Sequence, residues 1–124
     1  MASANASQPT LFISTDALLE HWQGHRRLTR RVIERFPDDQ LFSFSIGKMR
    51  TFGDLANEML SMAGPMAHGL ATLEWGGYAP PKATSKTSGT GRSLYLIDNE
   101  VHHRGQGYVY LRALGVEPPP FWER

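Results

Sequence analysis

The chain has 124 residues, with 13 Lys and Arg against 12 Asp and Glu, so its formal net charge at pH 7 is +1. A chain of this length can build one hydrophobic core, and its nearly balanced charge does not favour nucleic-acid binding. The absence of cysteine excludes disulfides, Cys-ligated zinc, iron–sulfur clusters and thiolate nucleophiles. No apolar stretch approaches the ~18 residues of a membrane span, and the first ten residues do not resemble a signal peptide. We therefore expect a cytoplasmic protein that has neither a nucleic acid nor a membrane as its partner.

The composition changes twice along the chain. Residues 1–10 are small and polar, which is typical of a flexible tail, and a single domain is expected over residues 11–124. Within that domain, residues 76–92 are rich in Gly, Pro, Ser and Thr and lack apolar periodicity, so they predict a flexible internal linker. Three helical segments remain.

The first helix is predicted over residues 16–36, where apolar side chains recur every three or four positions. Asp16 is its expected N-cap and Pro37 its stop, since the residue before a proline resists helical geometry. Residues 41–50 alternate between apolar and polar side chains, and without a second strand candidate they predict an extended connection across the bundle.

The second helix is predicted to begin after an N-cap at Thr51, supported by Asp54 three residues later, and to continue to Leu73. Pro65 interrupts this segment, because proline removes one backbone hydrogen bond and clashes with the preceding turn. A kink over residues 61–65 is therefore expected.

The last helix is predicted from a cap at Ser93 to Leu114, where Gly115 indicates a Schellman stop. Beyond it, Phe121 and Trp122 are expected to fold back onto an apolar surface. A projection at about 100° per residue places apolar and aromatic side chains on two nearly opposite sides. Leu94, Ile97, Val101 and Tyr108 lie on one side together with Arg112, and Leu96, Tyr110 and Leu114 lie on the other. Because such a helix is buried on two sides, we expect one side to face a second copy in a homodimer.

Residues 98–119 (DNEVHHRGQGYVYLRALGVEPP) resemble the closing helix of the DinB/YfiT-like family, with its His-His-Arg-Gly-Gln run and Leu-Gly-Val-x-Pro-Pro ending. Residues 51–59 (TFGDLANEM) are similar to that family's second helix, and residues 18–39 to its first helix and turn, so the resemblance covers residues 16–75 and 93–120. It implies an all-α, up-down helical bundle. The family pattern has a further helix before the last one, where this chain has only its linker, so we expect three long helices completed by dimerisation.

The resemblance also implies a divalent metal held by three histidines, one on the second helix and two on the last. Carried over position by position, these ligands fall on Glu58, Asn99 and His103, of which only His103 has the family's residue. This set offers nickel, zinc or manganese one good nitrogen, one carboxylate and one weak neutral oxygen. The favoured alternative is that His103 and Asn99 form a hydrogen-bonded polar patch inside the bundle, with Glu58 as a solvated residue at the edge of its helix.

Five further residues are candidates for the surrounding pocket: His102, Arg104, Gln106, Met62 and His25. Each also has a structural interpretation. His102 is suited to a helix–helix contact, and Met62 to the core. Arg104 and Gln106 are suited to structural roles, for example an ion pair of Arg104 with Glu100 one turn before it. His25 lies on the apolar side of the first helix and could be a hydrogen-bonded core histidine.

Two function classes follow, and whether the protein is an enzyme stays open between them. One is a non-catalytic DinB-like protein whose degenerate site is free of metal, or binds it weakly, and fills the core or holds a small molecule. The other is a divalent-metal-dependent hydrolase or thiol transferase. Its thiol would have to come from a cosubstrate, because the chain has no cysteine. The first class is favoured.

Overall fold

Three helices make up the described fold: α1 (Thr15–Arg35), α2 (Phe52–Thr72) and α3 (Gly89–Ala113). The computed structural model describes residues 13–72 and 89–124, and no strand occurs within these two ranges. No helix there is long and apolar enough to cross a membrane. The all-α class and the three helices are therefore confirmed, whereas the predicted tail over residues 1–10 and most of the linker over residues 76–92 lie outside the described residues.

The N-terminus of α1 differs from the prediction, because Ser14 and not Asp16 is its N-cap. Ser14 has extended backbone angles, and its Oγ accepts a hydrogen bond from the amide three residues later at 3.1 Å. Asp16 instead lies in the first turn, where a negative charge is favourable next to the positive end of the helix dipole. The other end agrees closely with the sequence, since Phe36 already has extended angles immediately before Pro37.

The connection between α1 and α2 is built from turns, so the extended conformation predicted for residues 41–50 is wrong. The amides of Ser43 and Phe44 both donate to the carbonyl of Gln40, and these local hydrogen bonds satisfy the backbone without a partner strand. The carbonyl of Leu41 accepts from the amide of Gly53 at 2.8 Å, which ties the connection to the first turn of α2.

The start of α2 is the predicted one. Thr51 Oγ1 accepts a hydrogen bond from the amide of Asp54 at 3.2 Å, which confirms the N-cap. The helix then continues unbroken from Phe52 to Thr72 and contains Pro65.

The two ends of α3 compare differently with the sequence. The helix begins at Gly89, so the cap predicted at Ser93 is wrong and four residues of the predicted linker are helical. Its C-terminus is the predicted Schellman motif. Gly115 has a φ of 77°, and the amide of Val116 donates to the carbonyl of Leu111 at 2.8 Å.

The core lies where α3 packs against both of the other helices, while α1 and α2 contact each other little. Near the loop that joins them, the rings of Phe36 and Phe52 stack with centroids 4.8 Å apart. Gly107 of α3 lies against the Phe52 ring, in a place where any side chain would overlap it. The buried core cluster consists of Val32, Phe36, Phe52, Leu55, Ala56, Met59, Tyr110 and Leu111.

After α3, the C-terminal tail returns along α1. Arg35 and Arg31 each donate a hydrogen bond to a backbone carbonyl of the tail, at 2.9 and 3.0 Å. Phe121 and Trp122 remain 64% and 68% exposed, so the prediction that they fold onto an apolar surface is wrong. The tail is held by these backbone hydrogen bonds and by the buried Pro118 and Pro119, whereas the two aromatic rings lie outside the core.

Candidate functional site

The three positions carried over from the family pattern meet where α2 packs on α3. Oε2 of Glu58 lies 2.6 Å from Nε2 of His103 and 3.5 Å from Nδ2 of Asn99. Asn99 and His103 are four residues apart on α3, so one turn of helix brings both side chains to the same side. His103 is buried, whereas Asn99 and Glu58 are partly exposed.

Two further side chains extend this cluster into a chain of polar contacts. Nη1 of Arg50 lies 3.0 Å from Oε1 of Glu58, and the amide Oε1 of Gln106 lies 2.8 Å from Nδ1 of His103. Partial burial acts to raise the pKa of Glu58, but the hydrogen bond and charge of Arg50, together with His103 and Asn99, outweigh it and lower that pKa. The carboxylate is therefore held in its charged form between a guanidinium and an imidazole.

Arg50 was not among the residues singled out from the sequence. It lies in the connection before α2, eight residues from Glu58, so no helical periodicity relates the two positions. The only signal available was its positive charge close to the cap of α2, and many exposed arginines share that property.

The contact between Glu58 and His103 is too short to enclose a metal ion. Zinc lies about 2.0–2.1 Å from nitrogen and oxygen ligands, so two ligand atoms at a tetrahedral angle stand about 3.3 Å apart. The observed 2.6 Å is the length of a charge-assisted hydrogen bond. Over the described ranges, no group of three or more His, Cys, Asp or Glu could hold a metal ion. In this arrangement the residues do not fit the family's metal.

A second polar network joins α3 to α1, and it includes two of the predicted pocket residues. Arg104 donates to the backbone carbonyl of His25 at 3.1 Å, and its Nη2 lies 3.1 Å from Nδ1 of the same residue. The ion pair predicted between Arg104 and Glu100 is replaced by another: Oε1 of Glu100 lies 2.9 Å from Nε of Arg26. Oε2 of Glu100 accepts from the hydroxyl of Thr29 at 2.7 Å. Tertiary partners on α1 therefore displace the local partner on α3.

The contacts of His25 fix its protonation state. Because a guanidinium can only donate, Nδ1 of His25 must accept from Arg104, which leaves the ring proton on Nε2. That atom lies 3.0 Å from Nε2 of His21 and donates to it. Burial, and then the charges of Arg104, Arg124 and His21, lower the pKa of His25 to about 4. His25 is thus a neutral, hydrogen-bonded core residue.

The other predicted pocket residues occupy different environments. Gln106 contacts His103 directly, as described above. The exposed ring of His102 lies edge-on to His103, with centroids 5.1 Å apart. Met62 is 6% exposed and is part of the hydrophobic core.

Comparison with known proteins gives a family for the C-terminal part of the chain. The DinB family model matches residues 79–124, which include the His-His-Arg-Gly-Gln run on α3 and the tail. No curated protein matches the chain. The family match confirms the resemblance predicted from residues 98–119, and the three-helix, all-α architecture agrees with it. Residues 79–124 are therefore similar to the DinB family, and the described part of the chain is all-helical.

Proposed function

We propose that this chain is a non-catalytic DinB-like module in which protein side chains replace the family's metal. The 2.6 Å contact between Oε2 of Glu58 and Nε2 of His103 carries the proposal. A carboxylate and an imidazole at this distance satisfy each other, and Arg50 satisfies the second carboxylate oxygen. The cluster then acts as a polar contact that joins α2 to α3 without a metal.

The proposal includes two partners that the sequence led us to expect. One is a second copy of the chain, in a homodimer. The other is a small molecule at the polar cluster, which solvent can reach because the Glu58 side chain is 32% exposed. The proposed place of action is the cytoplasm.

Metal content tests this function most directly. We expect protein purified without a His tag, equilibrated in turn with nickel, zinc and manganese and then desalted, to retain far less than one ion per chain. The double variant Glu58→His/Asn99→His restores the family's three histidines and is expected to retain about one ion per chain. Adding His103→Ala to that variant is the matched control and should abolish retention. Stoichiometric metal in the wild-type chain, lost on His103→Ala, would overturn the proposal.

One observation favours a second function, that of a divalent-metal-dependent hydrolase or thiol transferase. Oδ1 of Asn99 is buried and has no hydrogen-bond partner, so it has a free lone pair beside Glu58 and His103. If the Glu58–His103 contact opened, these three side chains could hold a divalent ion, which would supply Lewis-acid activation of water or of an external thiol. The metal measurement separates the two functions, since only this one requires retention by the wild-type chain.

A further inference from the structure

The solvent side of α3 carries a regular row of exposed residues, which we call the α3 stripe. It lies opposite the buried side of the helix, and its members follow each other at steps of three or four residues. The α3 stripe consists of Leu94, Asp98, Val101, Gly105, Val109 and Arg112. Its three large apolar residues, Leu94, Val101 and Val109, are 47%, 42% and 56% exposed. We infer that this stripe is the interface of the homodimer, with two α3 helices crossing antiparallel at Gly105.

The order of side chains along the α3 stripe supports this arrangement, because the stripe is complementary to itself about Gly105. Asp98 and Arg112 lie on either side of Gly105, each seven residues from it. Val101 and Val109 are each four residues from the same glycine. A two-fold axis at Gly105 therefore brings Asp98 of each chain beside Arg112 of the other, with the valines between these two ion pairs. Parallel helices in register would place like charges together.

Gly105 itself is explained by a close approach between two helices. A side chain at this position would meet no heavy atom within 4 Å in the single chain, so the fold of one copy does not require glycine. Glycine inside a helix is destabilising, and it is favoured where another backbone comes near. The α3 stripe has its smallest residue at the point that the charge pattern identifies as the axis.

The occupant is a second copy and not an unrelated protein, because the opposite charges stand at matched distances from one residue. An unrelated partner would require no such symmetry. Arg112 is also held in place, since its guanidinium lies 5.8 Å above the ring centroid of Tyr108 on the same helix. This inference rests on the homodimer of the proposed function and specifies its surface.

The first test adds bulk at the proposed axis. A Cβ at position 105 meets no heavy atom within 4 Å in the single chain, so Gly105→Leu should retain its helix content and should not lower the free energy of unfolding in urea where the chain is monomeric. Its dimer dissociation constant in sedimentation equilibrium should rise by about thirtyfold or more, the effect of losing an interface hot spot. Asn57→Leu adds similar bulk at an exposed position on α2 and serves as the matched control, with its dissociation constant unchanged.

The second test exchanges the charges. Asp98→Arg and Arg112→Asp should each weaken the dimer about tenfold, because each places like charges together twice. The double variant Asp98→Arg/Arg112→Asp re-forms both pairs and should return close to the wild-type dissociation constant. Additive weakening in the double variant would show that the two residues do not meet.

The third test fixes the direction of the helices and uses the absence of native cysteine. Gly105→Cys should form a disulfide-linked dimer under mild oxidation. Leu94→Cys should not, because 22 residues at 1.5 Å per residue place the two Leu94 positions about 33 Å apart in the antiparallel dimer. Efficient linkage through Leu94→Cys would overturn the antiparallel arrangement.

The oligomeric state of the wild-type chain tests the homodimer, and the Gly105 variants test the α3 stripe as its interface. A monomer at micromolar concentration would overturn both the homodimer and the α3 stripe. A dimer that tolerates Gly105→Leu and is not linked through Gly105→Cys would overturn the stripe alone.

Discussion

Acid should destabilise this protein through His25, whose neutral ring accepts a hydrogen bond from Arg104. In the folded chain its pKa is about 4, whereas the ordinary value of 6.5 applies once the chain unfolds. Between these values the unfolded state binds more protons, so the free energy of unfolding falls as the pH falls. A pKa difference of this size predicts a loss of about 2 kcal/mol between pH 7 and pH 5.

The measurement is the free energy of unfolding in urea at a series of pH values. His25→Asn keeps an acceptor for Arg104 but removes the titrating ring, so its pH dependence should be smaller by about 2 kcal/mol over the same range. His102→Gln removes an exposed histidine from α3 and should leave the wild-type profile intact. If His25→Asn lost as much stability on acidification as the wild-type chain, the neutral, buried state of His25 would be refuted.

Three further predictions concern the packing of α3. Gly107→Ala should destabilise the chain by about 1–3 kcal/mol in urea unfolding, because the added methyl group overlaps the Phe52 ring. In Gly105→Ala, on the same helix, the added methyl group meets no other atom, so the free energy of unfolding should rise by about 0.5–1 kcal/mol at concentrations where the chain is monomeric. An equal loss of stability in both variants would contradict this packing. Tyr110→Phe removes a 2.6 Å hydrogen bond to the loop before α2 and should lower the free energy of unfolding by about 1 kcal/mol. No change in that free energy would show that the hydroxyl bonds equally well to water in the unfolded chain. Glu100→Gln leaves a partly buried arginine of α1 without its charged partner and should lower the thermal midpoint by more than Tyr110→Phe does.

Where local chemistry alone decides a helix boundary, the sequence predicted it. The hydroxyl of Thr51 and the positive φ of Gly115 act within a few residues, so the start of α2 and the end of α3 were correct. The predicted N-cap of α1 at Asp16 was wrong, because Ser14 is also a good capping residue and only the backbone angles select between the two. The start of α3 was missed because a formed helix extends at little cost through residues of low propensity.

In the candidate site too, local spacing was predicted correctly and long-range contacts were not. The positions of Glu58, Asn99 and His103 came from the resemblance, and one helical turn explains why two of them lie together. The partners of Arg104 did not follow from spacing, since its hydrogen-bond partner His25 is 79 residues away and on another helix. The expected pairing with Glu100 respected the helical period but ignored α1, whose donors compete for the same carboxylate. Long-range contacts of this kind depend on how the helices pack, and that information is absent from local patterns.

The central position of α3 also affects how the chain is made. During synthesis α1 and α2 leave the ribosome first, yet most of what each of them buries lies on α3. Until α3 emerges, the apolar sides of the two earlier helices share little more than the contact near Phe36 and Phe52. The core must therefore form late in translation, when α3 packs against the two earlier helices. Until then the nascent chain exposes its apolar surfaces.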